Sequence, residues 1–375
     1  MEGPGPCRHF SGDLCSEGNA HSYGHGHKHG GDIYQREALI DFSANINLLG
    51  IPEGVAEAAC KGVRLSASYP DVECRELRKE IARSAKVPME QVICGNGAAD
   101  IIYSLVLALK PKKALLPVPS FYEYEKALRV VDCGLEYFLL REEDDFLLRE
   151  DFLDAIREDI DIIFLCNPNN PTGSLTEKKL MERIIQKCEE LSIWLLVDEC
   201  FLDFVEEGRS YSVLEQIGEA KHLMLLKAFT KLYAMPGLRL GYGICSNREF
   251  LLRMKEAAQP WNVSIPAQLA GVAALKETGY VTASLELVKQ ERAYLSGELM
   301  KLGFQIYCPK ANYIFFRGTP GLASFCLERG ILIRDCSNYR GLEEGYYRIA
   351  VKKHEENVQL VKILGEAVSL WQKRL

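Results

Sequence analysis

The sequence predicts an α/β protein, with a large unit built on a mostly parallel central sheet and a smaller α+β unit at its C-terminal end. Three observations carry this. From about Ala38 to Asn247, short apolar runs alternate with helix-length amphipathic segments, the pattern of parallel strands joined by helical crossovers. After Asn247 the alternation gives way to long amphipathic helices and a few strands. Polar turns rich in Gly, Asn and Pro close several of the apolar runs, at the strand ends where open α/β sheets carry their ligands.

The elements follow in order. Leu39 to Ser43 reads as a short strand, Asn45-Ile46-Asn47 as a polar loop, and a helix opens near Pro52. A helix from about Cys74 to Ala85 precedes a strand at Gln91 to Cys94, after which Gly95-Asn96-Gly97-Ala98-Ala99 leads into an apolar helix ending near Lys110. Strands at Ala114 to Pro117, Leu135 to Leu140 and Ile160 to Cys166 alternate with helices at Phe121 to Val130, Asp151 to Ile156 and Glu177 to Leu191. Three short apolar strands, Trp194 to Asp198, Leu223 to Lys227 and Gly241 to Ile244, complete the first unit. Helices at about Arg248 to Ala258, Ile265 to Glu277 and Thr282 to Lys301 follow, with strands near Phe304 to Tyr307, Tyr313 to Phe316 and Tyr347 to Val351. No repeat of solenoid length is visible.

Composition narrows the function. At 375 residues with 47% apolar and 26% charged residues, the chain has material for two cores and a cleft between them. A net charge of -7 and a pI near 5.7 argue against nucleic acid or an anionic membrane as the main partner. No apolar run reaches bilayer length and no signal-peptide pattern opens the chain, so a cytoplasmic enzyme is expected. The 13 cysteines are scattered without a Cys-x-x-Cys pair and read as buried free thiols. Residues 1–31 hold five of the seven histidines without hydrophobic periodicity and read as a flexible arm. There His25, His27 and His29 alternate with Gly26 and Lys28, a spacing that on an extended segment would align three imidazoles for a divalent metal; a solvated polar tract is the alternative, and no metal site is assigned.

Four segments carry chemistry. Lys231 lies between the apolar run Leu223 to Leu226 and a Pro-Gly turn, and Arg239 is the only cation in the ten residues after it; an apolar setting lowers a lysine's pKa and readies it to attack a carbonyl. Gly95 to Asp100 places small residues at a strand-to-helix handover, where backbone N–H groups can cup an anion, with Thr230 and Arg239 available to the same anion. Asn167-Pro168-Asn169-Asn170-Pro171-Thr172-Gly173 turns sharply at the end of one buried strand, and Asp198 ends the next. A carboxylate and an amide facing one crevice suit a pyridine nitrogen and a phenolic oxygen.

These motifs, in this order, resemble a fold-type I pyridoxal-phosphate enzyme of the class I/II aminotransferase family, over nearly the whole chain from about His29. The resemblance implies pyridoxal 5′-phosphate as cofactor, Lys231 as its Schiff-base residue, Asp198 on the pyridinium nitrogen and Asn170 on the ring oxygen O3′. It assigns Gly97, Ala98, Thr230 and Arg239 to the cofactor phosphate and Phe121 to the face of the ring. Tyr69, in Ser-Tyr-Pro-Asp, matches a tyrosine that reaches the phosphate of a neighbouring subunit, implying a homodimer with shared active sites. The expected division is an arm at 1–31, a large cofactor-binding domain at 67–258, and a small domain from 32–66 and 259–375.

Within the family the chain is most similar to the threonine-phosphate decarboxylase branch, a lyase group of cobalamin biosynthesis. His29-Gly30-Gly31, Asp41 to Asn47, Asp198 to Phe204 and Met235-Pro236-Gly237 carry that likeness. Phe201 stands where related aminotransferases usually have a tyrosine bonded to the cofactor's O3′. His29, Asn45, Arg334 and Arg348 are implied to hold a small phosphorylated amino acid; each arginine follows an apolar strand-like run and is expected to point inward. Leu48 and Cys200 depart from the family pattern, where proline and alanine are usual. Serine phosphate stands beside threonine phosphate as a candidate substrate, and the alternative functions are an aminotransferase of the histidinol-phosphate type and a metal-handling protein acting through its His/Cys-rich arm.

Overall fold

Continuous apolar runs along the central strands decide the architecture, because a strand sends successive residues to opposite faces and both must then be covered. A computed structural model of the chain describes residues 30–33, 39–307 and 309–372. The His-rich tract and His29 lie outside them. Chain order begins β1 (Ile40–Asp41), α1 (Glu53–Arg64), α2 (Arg75–Ala85), β2 (Val92–Gly95), α3 (Ala98–Leu109), β3 (Lys113–Val118), α4 (Glu123–Arg129) and β4 (Gly134–Leu139). It continues through α5 (Phe152–Ala155), β5 (Ile162–Cys166), α6 (Lys178–Glu190), β6 (Trp194–Asp198), β7 (Leu223–Ala228), α7 (Phe229–Leu232), β8 (Gly241–Ile244), α8 (Arg248–Ala257), α9 (Ile265–Ala274) and α10 (Thr278–Lys301). It closes with β9 (Gln305–Tyr307), β10 (Tyr313–Arg317), α11 (Leu322–Leu327), β11 (Ile331–Leu332), β12 (Arg334–Asp335), β13 (Tyr346–Ala350) and α12 (His354–Gln372).

Seven strands form one sheet in the order β2-β8-β7-β6-β5-β3-β4, in which β8 alone runs against its neighbours. Leu196, Leu226 and Phe164 pack on one face with Ile102 and Leu105 of α3 and Phe250 of α8. Leu195, Val197, Leu225 and Ile163 pack on the other with Ile184 of α6. Both faces are therefore covered, and the ligand edge is left at the strand ends. A second, antiparallel sheet in the order β12-β13-β10-β9 is covered by α10, α11 and α12, whose Leu295, Leu322 and Leu360 share its core. The N-terminal segment joins this C-terminal region: β1 pairs with β11, and Phe42 O accepts from Ala350 N at 2.8 Å.

The expected elements are present with small shifts of their ends. α4 starts two residues late, at Glu123, and α9 ends three early, at Ala274. α11, β12 and α12 were not anticipated, and β11 only as the apolar strand-like run before Arg334. Among the described residues no helix is long and apolar enough to cross a membrane.

The packing of α1 on α9 rests on Gly62. A Cβ there would lie 2.5 Å from Pro266 Cα and 2.8 Å from its nitrogen, backbone atoms that cannot turn aside. Gly297, five residues from the C-terminal end of α10 counting Lys301 as the first, has open space instead. Gly62→Ala is expected to lower stability by about 1–3 kcal/mol through overpacking, whereas Gly297→Ala raises it by roughly 0.5–1 kcal/mol through helix propensity. Urea unfolding of the two variants checks the contrast; equal effects would remove Gly62 from this role.

Candidate active site

Strand register builds the site. Cys166 of β5 lies beside Asp198 of β6, and Asp198 lies beside Leu226 of β7, so three strands end together. After β5 the chain must turn, and two of its three asparagines serve the turn. Asn167 Oδ1 accepts from Thr176 N at 2.9 Å, while Asn169 Nδ2 donates to Thr172 Oγ1 at 2.8 Å and Pro119 O at 3.0 Å. Asn170 is left facing the crevice, where its Oδ1 accepts from Arg348 Nη1, and Tyr339 Oη stands 3.5 Å away.

On the other side, Gly241 is the register partner of both Gly95 in β2 and Ala228 in β7. That single residue brings the glycine-rich turn and the lysine segment together. A Cβ at Gly241 would lie 2.5 Å from Ala98 N, and one at Gly97, whose φ is +88°, would lie 2.6 Å from Arg239 Nη2. The backbone and the guanidinium thus approach as closely as glycine allows. Ala98 opens the twelve-residue α3, and Gly97 caps it without a side chain, leaving first-turn N–H groups for an anion. Thr230 is buried in the first turn of α7.

Lys231 sits in α7, half-buried, with its Nζ 5.9 Å from the centre of the Phe201 ring. Burial pulls its pKa down to about 8, helped by the charges of Arg348 and Arg239. Phe201 is buried and meets Tyr313 edge to face at 5.1 Å. Asp198 is 4% exposed; burial pushes its carboxyl up, against the hydrogen bonds from Cys200 and Tyr124. Tyr124 Oη donates to Asp198 Oδ2 at 2.7 Å and Cys200 N to Oδ1 at 2.9 Å.

The two C-terminal arginines lie side by side. Arg334 and Arg348 are register partners across β12 and β13 and are both buried. Arg334 Nη2 donates to Asn338 Oδ1 at 2.9 Å and its guanidinium lies 5.2 Å from the Tyr339 ring. Arg348 Nη2 donates to Ser43 O at 2.9 Å. Two buried polar atoms of the site, Arg348 Nε and Asn45 Oδ1, have no hydrogen-bond partner among the described residues. A buried donor and a buried acceptor left unmade are costly, and both suit an incoming polar ligand. Phe121 meets the Tyr124 ring edge-on at 5.5 Å. Tyr69 stands apart from this cluster at 79% exposure, its ring 4.7 Å from that of Trp261.

Tyr124, Tyr339 and Gly241 belong to this neighbourhood but were not singled out from the sequence. Gly241 had a signal, a glycine inside an apolar strand. The tyrosines had none, since their partners are 74 and 169 residues away.

Comparison with known proteins agrees with this geometry. The family model described as aminotransferase class I and II matches residues 37–364. The threonine-phosphate decarboxylase of Salmonella typhimurium is 36% identical over 353 residues, covering 91% of this chain and 96% of the relative. Among solved structures, the histidinol-phosphate aminotransferase from Clostridium acetobutylicum matches with a TM-score of 0.83 and 33% identity over 88% of this chain and 99% of that one. The L-threonine-O-3-phosphate decarboxylase from Porphyromonas gingivalis matches at 0.78 and 25%, with the same coverage.

The lowered pKa of Lys231 gives a pH prediction. Its neutral amine, the nucleophilic form, becomes the major species above about pH 8, whereas exposed lysines need about pH 10.4. Labelling of Lys231 by an amine-reactive reagent, followed by peptide mass spectrometry, is expected to rise through a midpoint near 8. Arg348→Met removes a neighbouring positive charge and moves the midpoint upward. A midpoint equal to that of surface lysines would contradict this account.

Proposed function

We propose that this chain, which belongs to the aminotransferase class I and II family, decarboxylates L-threonine O-3-phosphate to (R)-1-amino-2-propanol O-2-phosphate, with pyridoxal 5′-phosphate as cofactor. The observation that carries the substrate class is the pair of buried guanidiniums, Arg334 and Arg348, side by side in one register. Two buried guanidiniums in one register suit a ligand with two anionic groups, and a phosphorylated amino acid brings two. The likeness to a threonine-phosphate decarboxylase over nearly the full length of both chains supports decarboxylation as the reaction.

The residues present fit the cofactor. A cradle that a Cβ at Gly97 or Gly241 would fill, at the N-terminus of α3, suits a phosphate, with Thr230 and Arg239 to complete it. Asp198 is the buried carboxylate to hold a proton at the ring nitrogen, Asn170 the amide for the ring oxygen, and Phe121 the aromatic for its face. When bound, pyridoxal phosphate supplies an electron sink for the pair released at the substrate α-carbon. Lys231 would hold it covalently and, once released, would take up the proton given up by the substrate's ammonium group and deliver a proton to the α-carbon in place of the lost carboxylate. Arg348, Asn45 and Arg334 bind the substrate's two anionic groups and so choose which α-carbon bond faces the sink. His29 is part of this substrate set on the family resemblance alone. Phe201 withholds the hydroxyl that a tyrosine would offer the ring oxygen. We read the protein as a cytoplasmic homodimer in which Tyr69, exposed beside Trp261, reaches the partner's cofactor phosphate.

A second reading, an aminotransferase of the histidinol-phosphate type, is favoured by the 0.83 TM-score match to such an enzyme. One assay separates the two. Purified protein given threonine phosphate and pyridoxal phosphate is expected to release carbon dioxide without any keto acid, and Lys231→Ala to lose on the order of 10²–10⁴-fold in rate. Accumulation of pyridoxamine phosphate without carbon dioxide would favour the aminotransferase. Arg334→Gln is expected to cost about 2–5 kcal/mol in kcat/KM, the loss typical of truncating a buried charge contact; an unchanged kcat/KM would take Arg334 out of the substrate site.

A further inference from the structure

Asp198 occupies a difficult position for a carboxylate. It ends β6 at 4% exposure, and burial pushes its pKa upward. Its sequence neighbour shows what such burial does. Glu199 is fully buried and pushed up to about 7, although Val213 N and Ser212 Oγ donate to it at 2.7 and 2.8 Å and Lys227 lies nearby. A protonated Asp198 would present a neutral acid where the proposed chemistry needs a negative charge.

The groups facing Asp198 come from five elements or their flanks. They are Tyr124 of α4, Cys166 of β5, Cys200 after β6, Lys231 of α7 and Tyr313 of β10. Burial pushes both thiols up, so they stay neutral beside the carboxyl. Among these side chains Tyr124 makes a short, directed hydrogen bond, from Oη to Oδ2 at 2.7 Å. It is itself 1% exposed, stacked on Phe164 at 5.0 Å and edge-on to Phe121 at 5.5 Å. Burial and the carboxylate hold its phenol well above the ordinary range, so it remains a donor across any working pH. Cys200 N donates to Oδ1 at 2.9 Å and the Cys200 thiol adds a hydrogen bond of its own, so Tyr124 shares the carboxylate with Cys200 and is the donor fixed on Oδ2.

We infer that Tyr124 is a positioning residue for the reaction: its hydroxyl holds Asp198 ionised and in a fixed orientation, so that the carboxylate can engage a protonated ring nitrogen, without itself touching substrate. The inference rests on the cofactor reading given above for its consequence, but the hold on Asp198 belongs to the polypeptide alone. The same ring touches Phe121, so the residue proposed for the cofactor's face and the one proposed for its nitrogen share one buried support.

Tyr124→Phe removes the hydroxyl and keeps the ring. The first measurement uses protein free of cofactor: the infrared carbonyl band of protonated Asp198, assigned by its loss in Asp198→Asn, is followed against pH. A hydrogen bond to a charged group corresponds to about one to two pH units, so the band is expected to appear one to two units higher in pH in Tyr124→Phe than in wild type. In the loaded enzyme the acid limb of kcat moves in the same direction, because the carboxylate form is the active one. Affinity for pyridoxal phosphate at pH 7 falls roughly tenfold or more for the same reason, while KM for threonine phosphate is unchanged. An Asp198 titration that does not move overturns the inference, whatever happens to activity. Should Tyr124→Phe fail to fold, fluorotyrosine placed at 124 keeps the ring and strengthens the donor; Asp198 must then titrate lower, and an unmoved band is again fatal. Wild-type protein that takes up no pyridoxal phosphate would overturn the functional reading instead, and the cofactor-free titration tells the two failures apart.

Discussion

The guanidinium of Arg348 joins the three parts of the chain that make the site. It stands on β13 of the antiparallel sheet, donates through Nη1 to Asn170 at the end of β5, and through Nη2 to Ser43 in the N-terminal segment. Those partners lie 178 and 305 residues away in sequence. Each charged hydrogen bond contributes about 1.5–3 kcal/mol at most, and removing a cation this size from water costs several kcal/mol. As a source of stability the arrangement is poor. As a way of setting the C-terminal sheet against the ligand edge of the seven-stranded sheet it is effective, because a planar fork admits few orientations. The partners are held in turn: Ser43 by Asp41 Oδ1, which accepts from its backbone N at 2.8 Å and its Oγ at 2.6 Å, and Asn170 by the turn that Asn167 and Asn169 close.

Around that contact the sheet imposes its own constraint. Parallel strands end in register, so residues that close neighbouring strands are delivered to one crevice without further design; Cys166, Asp198 and Leu226 are such a row. The antiparallel β8 breaks the series and makes the phosphate cradle possible. Running back past β7 and β2, it places Gly241 between Ala228 and Gly95. Any side chain at Gly241 would strike Ala98 N. Sheet topology, then, decides that the lysine segment and the glycine turn share one space, and the absence of one Cβ decides how closely they approach.

What could be read from the sequence divides along the same line. Strands and helices of the first unit were legible because their apolar runs are long enough for period to show, and Asp198, Asn170 and Lys231 were legible because each sits at the end of such a run or just past it. Two-residue strands carry no period, so the apolar run before Arg334 showed where β11 lies but not which strands β11 and β12 pair with, and the reason Arg334 and Arg348 lie side by side was hidden with it. The buried state of both arginines was expected from the apolar residues before them; their pairing is a tertiary fact. Tyr124 is hidden for a related reason: in an amphipathic helix a tyrosine at a buried position looks like core, and only the fold shows that its hydroxyl reaches Asp198. Tyr69 is the converse case, since a single chain leaves it exposed and the motif alone speaks for its role.

The electrostatics of Lys231 tie substrate recognition to proton transfer. Its pKa near 8 comes from burial first and then from the charges of Arg348 and Arg239. Both guanidiniums are in the set proposed to bind anions, Arg239 at the cofactor phosphate and Arg348 at the substrate carboxylate. In the proposed reaction Lys231 carries a free amine while those anions are in place. Each anion offsets a cation that had lowered the amine's pKa, so the amine is then more basic than in the empty protein. Loss of carbon dioxide would leave the bonding electron pair on the substrate, so the negative charge would pass from the carboxylate facing Arg348 to the α-carbon, the atom that Lys231 is to protonate. Arg348 acts on Lys231 through its charge, and in the proposed reaction the same guanidinium would bind the departing carboxylate.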